Sequence, residues 1–145
     1  MHLKRPNTAE LLINANRNLA RYRQLGYKVI KDKLRGHQGP LAGMHTALLE
    51  AAHPWVLTIP CDGPFVADDY VAHDGERMQP VYSLIHRDLA RNLEKFLSTG
   101  ERKIDRWHEQ HAFATVDFSE NQSMFVNINT PQQLAEIEQL LAAED

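Results

Sequence analysis

The amino-acid sequence predicts an α/β fold in which a mainly parallel sheet carries helices on both faces. Two observations lead to this prediction. Strand-like apolar segments alternate with helical segments along the chain, and most helical segments are long enough to cross over between parallel strands. With 145 residues and 16.6 kDa, the chain is large enough for one buried core, so we expect a single domain over residues 1–145.

The predicted strands are rich in apolar and β-branched residues and end at polar or turn-forming residues. In chain order they cover residues 10–16, 27–32, 55–60, 80–86, 111–118 and 123–129. The third strand has the sequence WVLTIP and is followed at once by Cys61 and Asp62. A buried strand is therefore expected to end at a carboxylate.

The predicted helices are marked by apolar periodicity and by residues suited to helix ends. In chain order they cover residues 18–26, 40–52, 87–100, 101–110 and the C-terminal stretch from residue 130. Gly26 suits the end of the first helix, and Pro40 suits the first position of the second. Thr130 and Gln133 have the spacing of a capping box, which predicts where the last helix begins.

Composition and charge narrow the classes of function. Hydrophobic residues make up 43% and charged residues 24% of the chain, as in ordinary globular proteins. The net charge of −3 gives no large basic surface, so nucleic acid is not expected as a partner. The single cysteine, Cys61, cannot form an internal disulfide, and no signal peptide or membrane-spanning apolar run is present. We therefore expect a cytoplasmic protein with no membrane partner.

Asparagine and aspartate side chains follow several of the predicted strands. In chain order they are Asn14, Asn16, Asp32, Asp62, Asn127 and Asn129. Ligands of open parallel sheets bind outside the carboxyl ends of the strands, so these side chains are candidates for one binding site. Each of them also has an ordinary explanation as a turn or cap residue. Asn16 is the best candidate for such a cap, because a predicted helix follows it.

Asp62 is the strongest single candidate for a functional residue. Pro60 and Pro64 stiffen the backbone on either side of it and hold its carboxylate in one direction. Mg²⁺ is usually held by one or two such carboxylates together with substrate phosphates. The pattern therefore favours a metal ligand at Asp62, and Cys61 is interpreted as a residue that packs beside the site.

The stretch GPLAGM, residues 39–44, predicts a second part of the site. Gly39 and Gly43 let backbone N–H groups approach a ligand closely, and the N-terminus of a helix favours anions. An ordinary loop-to-helix junction explains the same residues. Beside a metal-binding carboxylate, a phosphate-bearing ligand is the preferred interpretation. The nearby His37 and His45 are interpreted as surface histidines.

The chain contains, in this order, the motifs LLINANR, YKVIKD followed by GPLAGM, IPCDGPF, HDGERMQPVYSL, TGERK and VNINTPQQL. Together they resemble the molybdenum cofactor guanylyltransferase family over residues 10–141. The resemblance implies a Rossmann-like nucleotidyltransferase fold. It also implies transfer of GMP from GTP to the terminal phosphate of molybdopterin, or Mo-molybdopterin, with Mg²⁺ as cofactor and release of pyrophosphate. Other proteins of molybdenum cofactor biosynthesis and acceptor molybdoenzymes are implied as further partners.

The resemblance also implies roles for individual residues. Asp62 is implied to be the catalytic residue and the Mg²⁺ ligand, and it binds the nucleotide together with Asn14 and Asp32. The residues implied to bind molybdopterin are Gly39, Gly43, Lys103, Asn127 and Asn129. Arg77 and Gln79 lie in the DGERMQP motif and receive no specific role.

Two departures from the family pattern affect these expectations. The sequence lacks the glycine-rich triphosphate loop with which family members begin, and it is short between the third strand and the DGER motif. We expect the complete protein to have additional residues before about residue 10 and between about residues 68 and 73. If the chain is truly shortened, the alternative is a non-catalytic module that binds molybdopterin or a nucleotide. A related cytidylyltransferase or sugar-nucleotidyltransferase is a further alternative.

Overall fold

The computed structural model describes residues 8–34, 36, 39–62 and 71–143. In this part of the chain the strands are β1 Leu12–Asn14, β2 Lys28–Ile30, β3 Trp55–Thr58, β4 Val71–His73, β5 Ser83–His86 and β6 Thr115–Asp117. The helices are α1 Leu19–Arg23, α2 Pro40–Glu50, α3 Ala90–Ser98, α4 Ile104–His108 and α5 Pro131–Ala143. Two 3₁₀ segments cover Arg87–Leu89 and Ser119–Phe125.

Most of the predicted elements are confirmed, although nearly all are shorter than expected. The strand predicted at residues 123–129 is wrong, because the second 3₁₀ segment extends to Phe125 and no strand follows it. Strand β4 was not predicted. Residues 1–7 of the first window and residues 68–70 of the second lie outside the described residues, so the expectation of additional residues stays a prediction.

The strands form three pairs, and two of the three are parallel. Strand β1 pairs with β2, so that Asn14 lies opposite Ile30, and β4 pairs with β6. Strand β3 pairs with β5 in the antiparallel sense, with Trp55 opposite His86. An antiparallel pair needs no crossover helix between its strands. The predicted α/β fold with mainly parallel pairing is confirmed, with β3–β5 as the exception.

Helix α2 connects β2 to β3 and packs against β1, β2 and β3. Two contacts show which way it runs. Lys28, at the start of β2, donates from Nζ to the Glu50 carbonyl oxygen at 3.1 Å. The Ala52 N–H donates to the carboxylate of Glu10 at 2.8 Å, just before β1. The C-terminal end of α2 therefore lies where β1 and β2 begin, and its N-terminal half lies where they end.

The hydrophobic core is formed mainly by one face each of α2, α3 and α4, together with β5. Its buried members are Leu41, Met44, Leu48, Ile85, Ala90, Leu93, Phe96, Leu97 and Trp107. Leu34, Val56, Leu89 and Ile104 are partly buried and pack against them. The apolar periodicity of the third predicted helix therefore does mark its buried face. Across the described part of the chain, no helix has both the length and the apolar character needed to cross a membrane.

Candidate functional site

The carboxyl ends of β1 and β2 meet at one edge of the sheet, where three polar side chains are joined. Asn14 Nδ2 donates to Asp32 Oδ1 at 2.9 Å, and Asn16 Nδ2 donates to Asp32 Oδ2 at 2.7 Å. The backbone N–H of Asp32 donates to Asn16 Oδ1 at 3.1 Å. We call Asn14, Asn16 and Asp32 the amide–carboxylate cluster. Both oxygens of the Asp32 carboxylate accept a side-chain amide N–H, and the backbone N–H of Asp32 is hydrogen-bonded as well.

No ion pair neutralises Asp32 within the described part of the chain. The neighbouring Lys33 instead binds Glu50, with 2.6 Å between Nζ and Oε1, and Lys28 approaches the same carboxylate at 3.4 Å. Hydrogen bonds from Lys33 and then Lys28 lower the pKa of Glu50. Asp32 therefore presents an acceptor that suits the O–H and N–H groups of a ligand better than it suits a phosphate.

The N-terminal half of α2 lies directly against this cluster. A Cβ atom added to Gly43 would be 2.8 Å from Asn14 Oδ1 and 3.8 Å from Asp32 Oδ1, so a side chain there would collide with Asn14. One turn of helix further on, Thr46 Oγ1 accepts the backbone N–H of Lys33 at 3.1 Å. The helix thus fixes the chain on the other side of Asp32, and any side chain at position 43 would displace the amide of Asn14.

Helix α2 begins at the same edge of the sheet. Gly39 precedes it with φ of 69°, a left-handed value that glycine adopts without strain, and Pro40 occupies the first turn as predicted. The first turn of a helix has unpaired backbone N–H groups and the positive end of the helix dipole. An anionic group of a ligand is therefore favoured beside Gly39.

Asp62 follows strand β3 by four residues. Strand β3 begins four residues after Ala51, at the end of α2, and packs against that helix. The carbonyl oxygen of the half-buried Asp62 accepts the N–H of Ile128 at 2.8 Å. The exposed Asn127 and Asn129 are the chain neighbours of Ile128, so this contact brings their segment to Asp62.

Tyr82 is electrostatically coupled to Asp62. Burial and, second, the negative charge of Asp62 raise the pKa of Tyr82. Its hydroxyl donates to the Met124 carbonyl oxygen at 3.3 Å, and its ring meets Phe125 edge-on with 5.2 Å between centroids. Tyr82 therefore remains a neutral donor at physiological pH and anchors the segment that leads to Ile128.

Asp62 is a candidate metal ligand. Within the described residues, no group of three or more His, Cys, Asp and Glu side chains could enclose a metal ion. No hydrogen bond or ion pair from that part of the chain occupies the carboxylate of Asp62. A single carboxylate of this kind fits Mg²⁺ that is held jointly with phosphate oxygens. Cys61 is exposed, so its predicted packing role is wrong; the strand ends at Thr58, before the cysteine can be buried.

The start of α5 is fixed beside the contact with Asp62. Gln133 Oε1 accepts the N–H groups of Asn129 at 2.8 Å and Thr130 at 3.0 Å. The N–H of Gln133 donates in turn to Thr130 Oγ1 at 3.2 Å. The predicted capping box is therefore confirmed, and it also holds the backbone of Asn129.

The DGERMQP motif forms a tight loop around Asp74. Asp74 accepts the backbone N–H groups of Arg77 at 2.8 Å and Glu76 at 2.9 Å, and the side-chain amide of Gln79 at 2.7 Å. These bonds, led by that of Arg77, lower the pKa of Asp74 to about 2. Gln122 Nε2 donates to the Asp74 carbonyl oxygen at 2.9 Å. The motif thus supports the 3₁₀ segment that leads to the Asp62 contact.

Lys103 occupies the N-cap position of α4, and its side chain makes no capping bond there. Its backbone N–H donates to Glu101 Oε1 at 3.1 Å. No hydrogen bond or ion pair among the described residues connects Lys103 to Asp62 or to the amide–carboxylate cluster. The structure therefore brings together Asn14, Asp32 and Gly43, and separately Asp62 with the segment of Asn127 and Asn129.

Comparison with known proteins identifies the family of this chain. The sequence model of one protein family, the MobA-like NTP transferase domain, matches residues 2–115 of this chain. The chain belongs to this family. The molybdenum cofactor guanylyltransferase of Shewanella sediminis (strain HAW-EB3) is 42% identical over 154 aligned positions, which cover 95% of this chain and 79% of the relative. The alignment is longer than the 145-residue chain, so the relative has residues at positions where this chain has none.

Two solved structures share the fold of this family member. A putative protein of Aquifex aeolicus VF5 has a TM-score of 0.73 at 19% identity, covering 84% of this chain and 72% of the other. The molybdopterin-guanine dinucleotide biosynthesis protein A of Archaeoglobus fulgidus has a TM-score of 0.69 at 21% identity, covering 91% and 78%. The predicted nucleotidyltransferase fold is confirmed.

Asn16 is the site residue whose role the sequence did not reveal. It was predicted to cap the first helix, and that prediction is wrong. The N-cap of α1 is Asn18, in a left-handed conformation with φ of 53°, and Asn16 binds Asp32 instead. A signal was present, because residues two apart in an extended chain point to the same side, which groups Asn16 with Asn14.

His45 is buried, with 2% of its surface exposed, so its interpretation as a surface histidine is wrong. It shares one helix face with the buried Leu41 and Leu48, at spacings of four and three residues. Neither ring nitrogen has a hydrogen-bond partner in the described part of the chain. His37 lies outside the described residues. The buried imidazole predicts a pH dependence of stability.

We expect the free energy of unfolding to fall as the pH drops below about 6.5. Burial, partly offset by the charge of Glu94 and reinforced by that of Lys33, lowers the pKa of His45. The folded state then binds fewer protons than the unfolded state, so the stability contributed by the neutral ring is lost with acidification. Thermal unfolding at about pH 5.5 and about pH 8 measures this difference.

His45→Leu should reduce the difference in melting temperature between the two pH values. The reduction should be partial, because burial also lowers the pKa of His108, which the variant retains. His53→Leu, at an exposed position, is the matched control and should leave the difference unchanged. An equal pH dependence in His45→Leu and the wild type would contradict the prediction.

Proposed function

We propose that this chain transfers GMP from GTP to molybdopterin or Mo-molybdopterin, forming molybdopterin guanine dinucleotide and pyrophosphate. Its membership in the MobA-like NTP transferase family and its identity to a molybdenum cofactor guanylyltransferase support this function. The observation that carries the proposal is that the amide–carboxylate cluster and the start of α2 share one edge of the β1–β2 pair. Asp62 lies four residues beyond β3, which packs against the same helix.

In this proposal the amide–carboxylate cluster binds the nucleotide. Asn14 and Asp32 supply the contacts, and the negative charge of Asp32 favours O–H and N–H donors of the nucleoside over its phosphates. The residues proposed to hold molybdopterin are Gly39, Gly43, Lys103, Asn127 and Asn129. Because Gly43 lies against Asn14, the two substrates would meet along the first turns of α2.

Asp62 is proposed to be the Mg²⁺ ligand and to bind the nucleotide through the metal. When bound, Mg²⁺ would neutralise charge on the phosphate oxygens. The transfer itself needs no side-chain nucleophile, because a terminal phosphate oxygen of molybdopterin attacks the α-phosphorus of GTP while pyrophosphate leaves. The task of the chain is then to place the two substrates in line, with Asp62 fixed through its backbone bond to Ile128.

The same proposed function implies a cellular compartment and protein partners. We propose a cytoplasmic enzyme that receives molybdopterin from other proteins of molybdenum cofactor biosynthesis and passes its product to acceptor molybdoenzymes. The exposed face of α5, which begins beside the proposed molybdopterin residues Asn127 and Asn129, is available for such partners.

GTP is expected to bind more tightly than CTP or ATP in the presence of Mg²⁺. Calorimetric titration of the chain with each nucleotide measures this preference, and an assay with GTP, Mg²⁺ and molybdopterin measures the transfer. Asp32→Ala should weaken GTP binding. Tightest binding of CTP would indicate a cytidylyltransferase. GTP binding without any transfer would favour the non-catalytic binding module.

A further inference from the structure

We propose that Asn16 is a positioning residue that fixes Asp32 for nucleotide binding. This inference rests on the proposed function, in which Asp32 contacts the nucleotide. Asn16 makes two hydrogen bonds to the same residue. Its Nδ2 donates to the carboxylate of Asp32 at 2.7 Å, and its Oδ1 accepts the backbone N–H of Asp32 at 3.1 Å.

The two bonds close a ring between the side chain of Asn16 and residue Asp32. One bond fixes the path of the backbone just after β2, and the other fixes the rotation of the carboxylate. Asn14, by contrast, donates a single bond to the carboxylate. Removing Asn16 therefore removes one hydrogen bond from the backbone of Asp32 and one from its carboxylate, and leaves that carboxylate with the single bond from Asn14.

The surrounding backbone makes this arrangement rigid. The N–H of Ala15 donates to the Ile30 carbonyl oxygen at 2.9 Å, which extends the β1–β2 pairing one step beyond the strands. On the far side of Asp32, the N–H of Lys33 is held by Thr46. Asn16 bonds the backbone N–H of Asp32, which lies in the chain between these two contacts.

Asn16 acts through Asp32 rather than as a helix cap or as a direct ligand. Asn18 is the N-cap of α1, so loss of the Asn16 side chain removes no capping bond. The carbonyl oxygen and one N–H of the Asn16 amide are already used by Asp32. A neutral amide is also required at this position, because a second carboxylate would repel that of Asp32.

Hydrogen exchange of the nucleotide-free protein tests whether Asn16 protects the backbone N–H of Asp32. In Asn16→Ala, the Asp32 amide should exchange at least tenfold faster, because its acceptor is gone. The Ala15 amide, which keeps its bond to Ile30, should remain protected. Unchanged exchange at Asp32 would overturn the proposal.

Calorimetric titration with GTP and Mg²⁺ tests the functional role. Asn16→Ala should weaken GTP binding by roughly tenfold. The same change should have little further effect when it is added to Asp32→Ala, because residues that act as a unit are not additive. Gln24→Ala, an exposed change next to α1, is the matched control and should bind GTP as the wild type does.

The outcomes separate this proposal from the proposed function. If Asp32→Ala loses affinity for GTP while Asn16→Ala does not, the positioning role is wrong and the proposed function stands. A full additional loss in the double variant likewise overturns the positioning role. A wild-type chain that binds no guanine nucleotide overturns the proposed function and, with it, the role of Asn16 in nucleotide binding.

The variant Asn16→Asp tests the pH dependence of GTP affinity, which a purely structural residue would not change. This variant places two carboxylates together, which raises the pKa of one of them. Its affinity for GTP should therefore be weak near neutral pH and should recover relative to the wild type as the pH falls and the pair shares a proton. Equal relative affinity across the pH range would contradict the proposed contact.

Discussion

Replacing Asp62 with alanine is expected to lower the kcat of the proposed Mg²⁺-dependent guanylyl transfer by about three orders of magnitude or more. A metal ion that stabilises charge in the transition state contributes several kcal/mol, and each 1.4 kcal/mol corresponds to about a factor of ten in rate. The assay uses the full chain with GTP, molybdopterin and Mg²⁺ at saturating concentrations. Asp62→Asn keeps the shape of the side chain and should lose a similar factor, because the amide lacks the negative charge.

The loss should be specific to activity, because the structural contact of Asp62 is made by its backbone. The carbonyl oxygen that accepts the Ile128 N–H is present in every variant, so the melting temperature should stay close to that of the wild type. Asp88→Ala removes another exposed carboxylate and is the matched control, with activity expected to be unchanged. Near-normal turnover in Asp62→Ala would show that Asp62 does not hold the metal.

The features that the sequence predicted correctly depend on local chemistry. Pro40 starts α2, and the reciprocal bonds of Thr130 and Gln133 start α5, because helix ends need partners within one turn. The meeting of Asn14 with Asp32 follows equally from the sequence, because the carboxyl ends of adjacent parallel strands share one edge. Each of these predictions requires knowledge of one element or of one strand pair.

The predictions that were wrong depend on contacts between distant parts of the chain. The alternating pattern of residues 123–129 suits a strand, yet Phe125 lies edge-on to Tyr82 and the backbone of Ile128 finds its partner at Asp62. Asn16 is a good cap by composition, but the carboxylate of Asp32 offers a charged partner 16 residues away. A local sequence pattern cannot show whether a polar side chain will bond a neighbouring backbone group or a residue that is distant in sequence.

The two tryptophans of the chain offer a sharp test of where its stability resides. Trp107→Ala is expected to lower the free energy of unfolding by about 3 to 5 kcal/mol. Trp107 is 1% exposed at the centre of the core, and its Nε1 donates to Asn92 Oδ1 at 2.8 Å. The substitution therefore leaves a cavity among Leu93, Phe96 and their neighbours and removes a hydrogen bond as well.

The matched control is the same substitution at Trp55, which is 58% exposed and meets the ring of His86 edge-on with 5.0 Å between centroids. Trp55→Ala removes an equal number of atoms but opens no internal cavity, so it should cost less than about 1 kcal/mol. Urea unfolding followed by circular dichroism measures both values, and an unchanged m-value would show that the denatured state is the same. Equal losses at the two positions would contradict a core centred on Trp107.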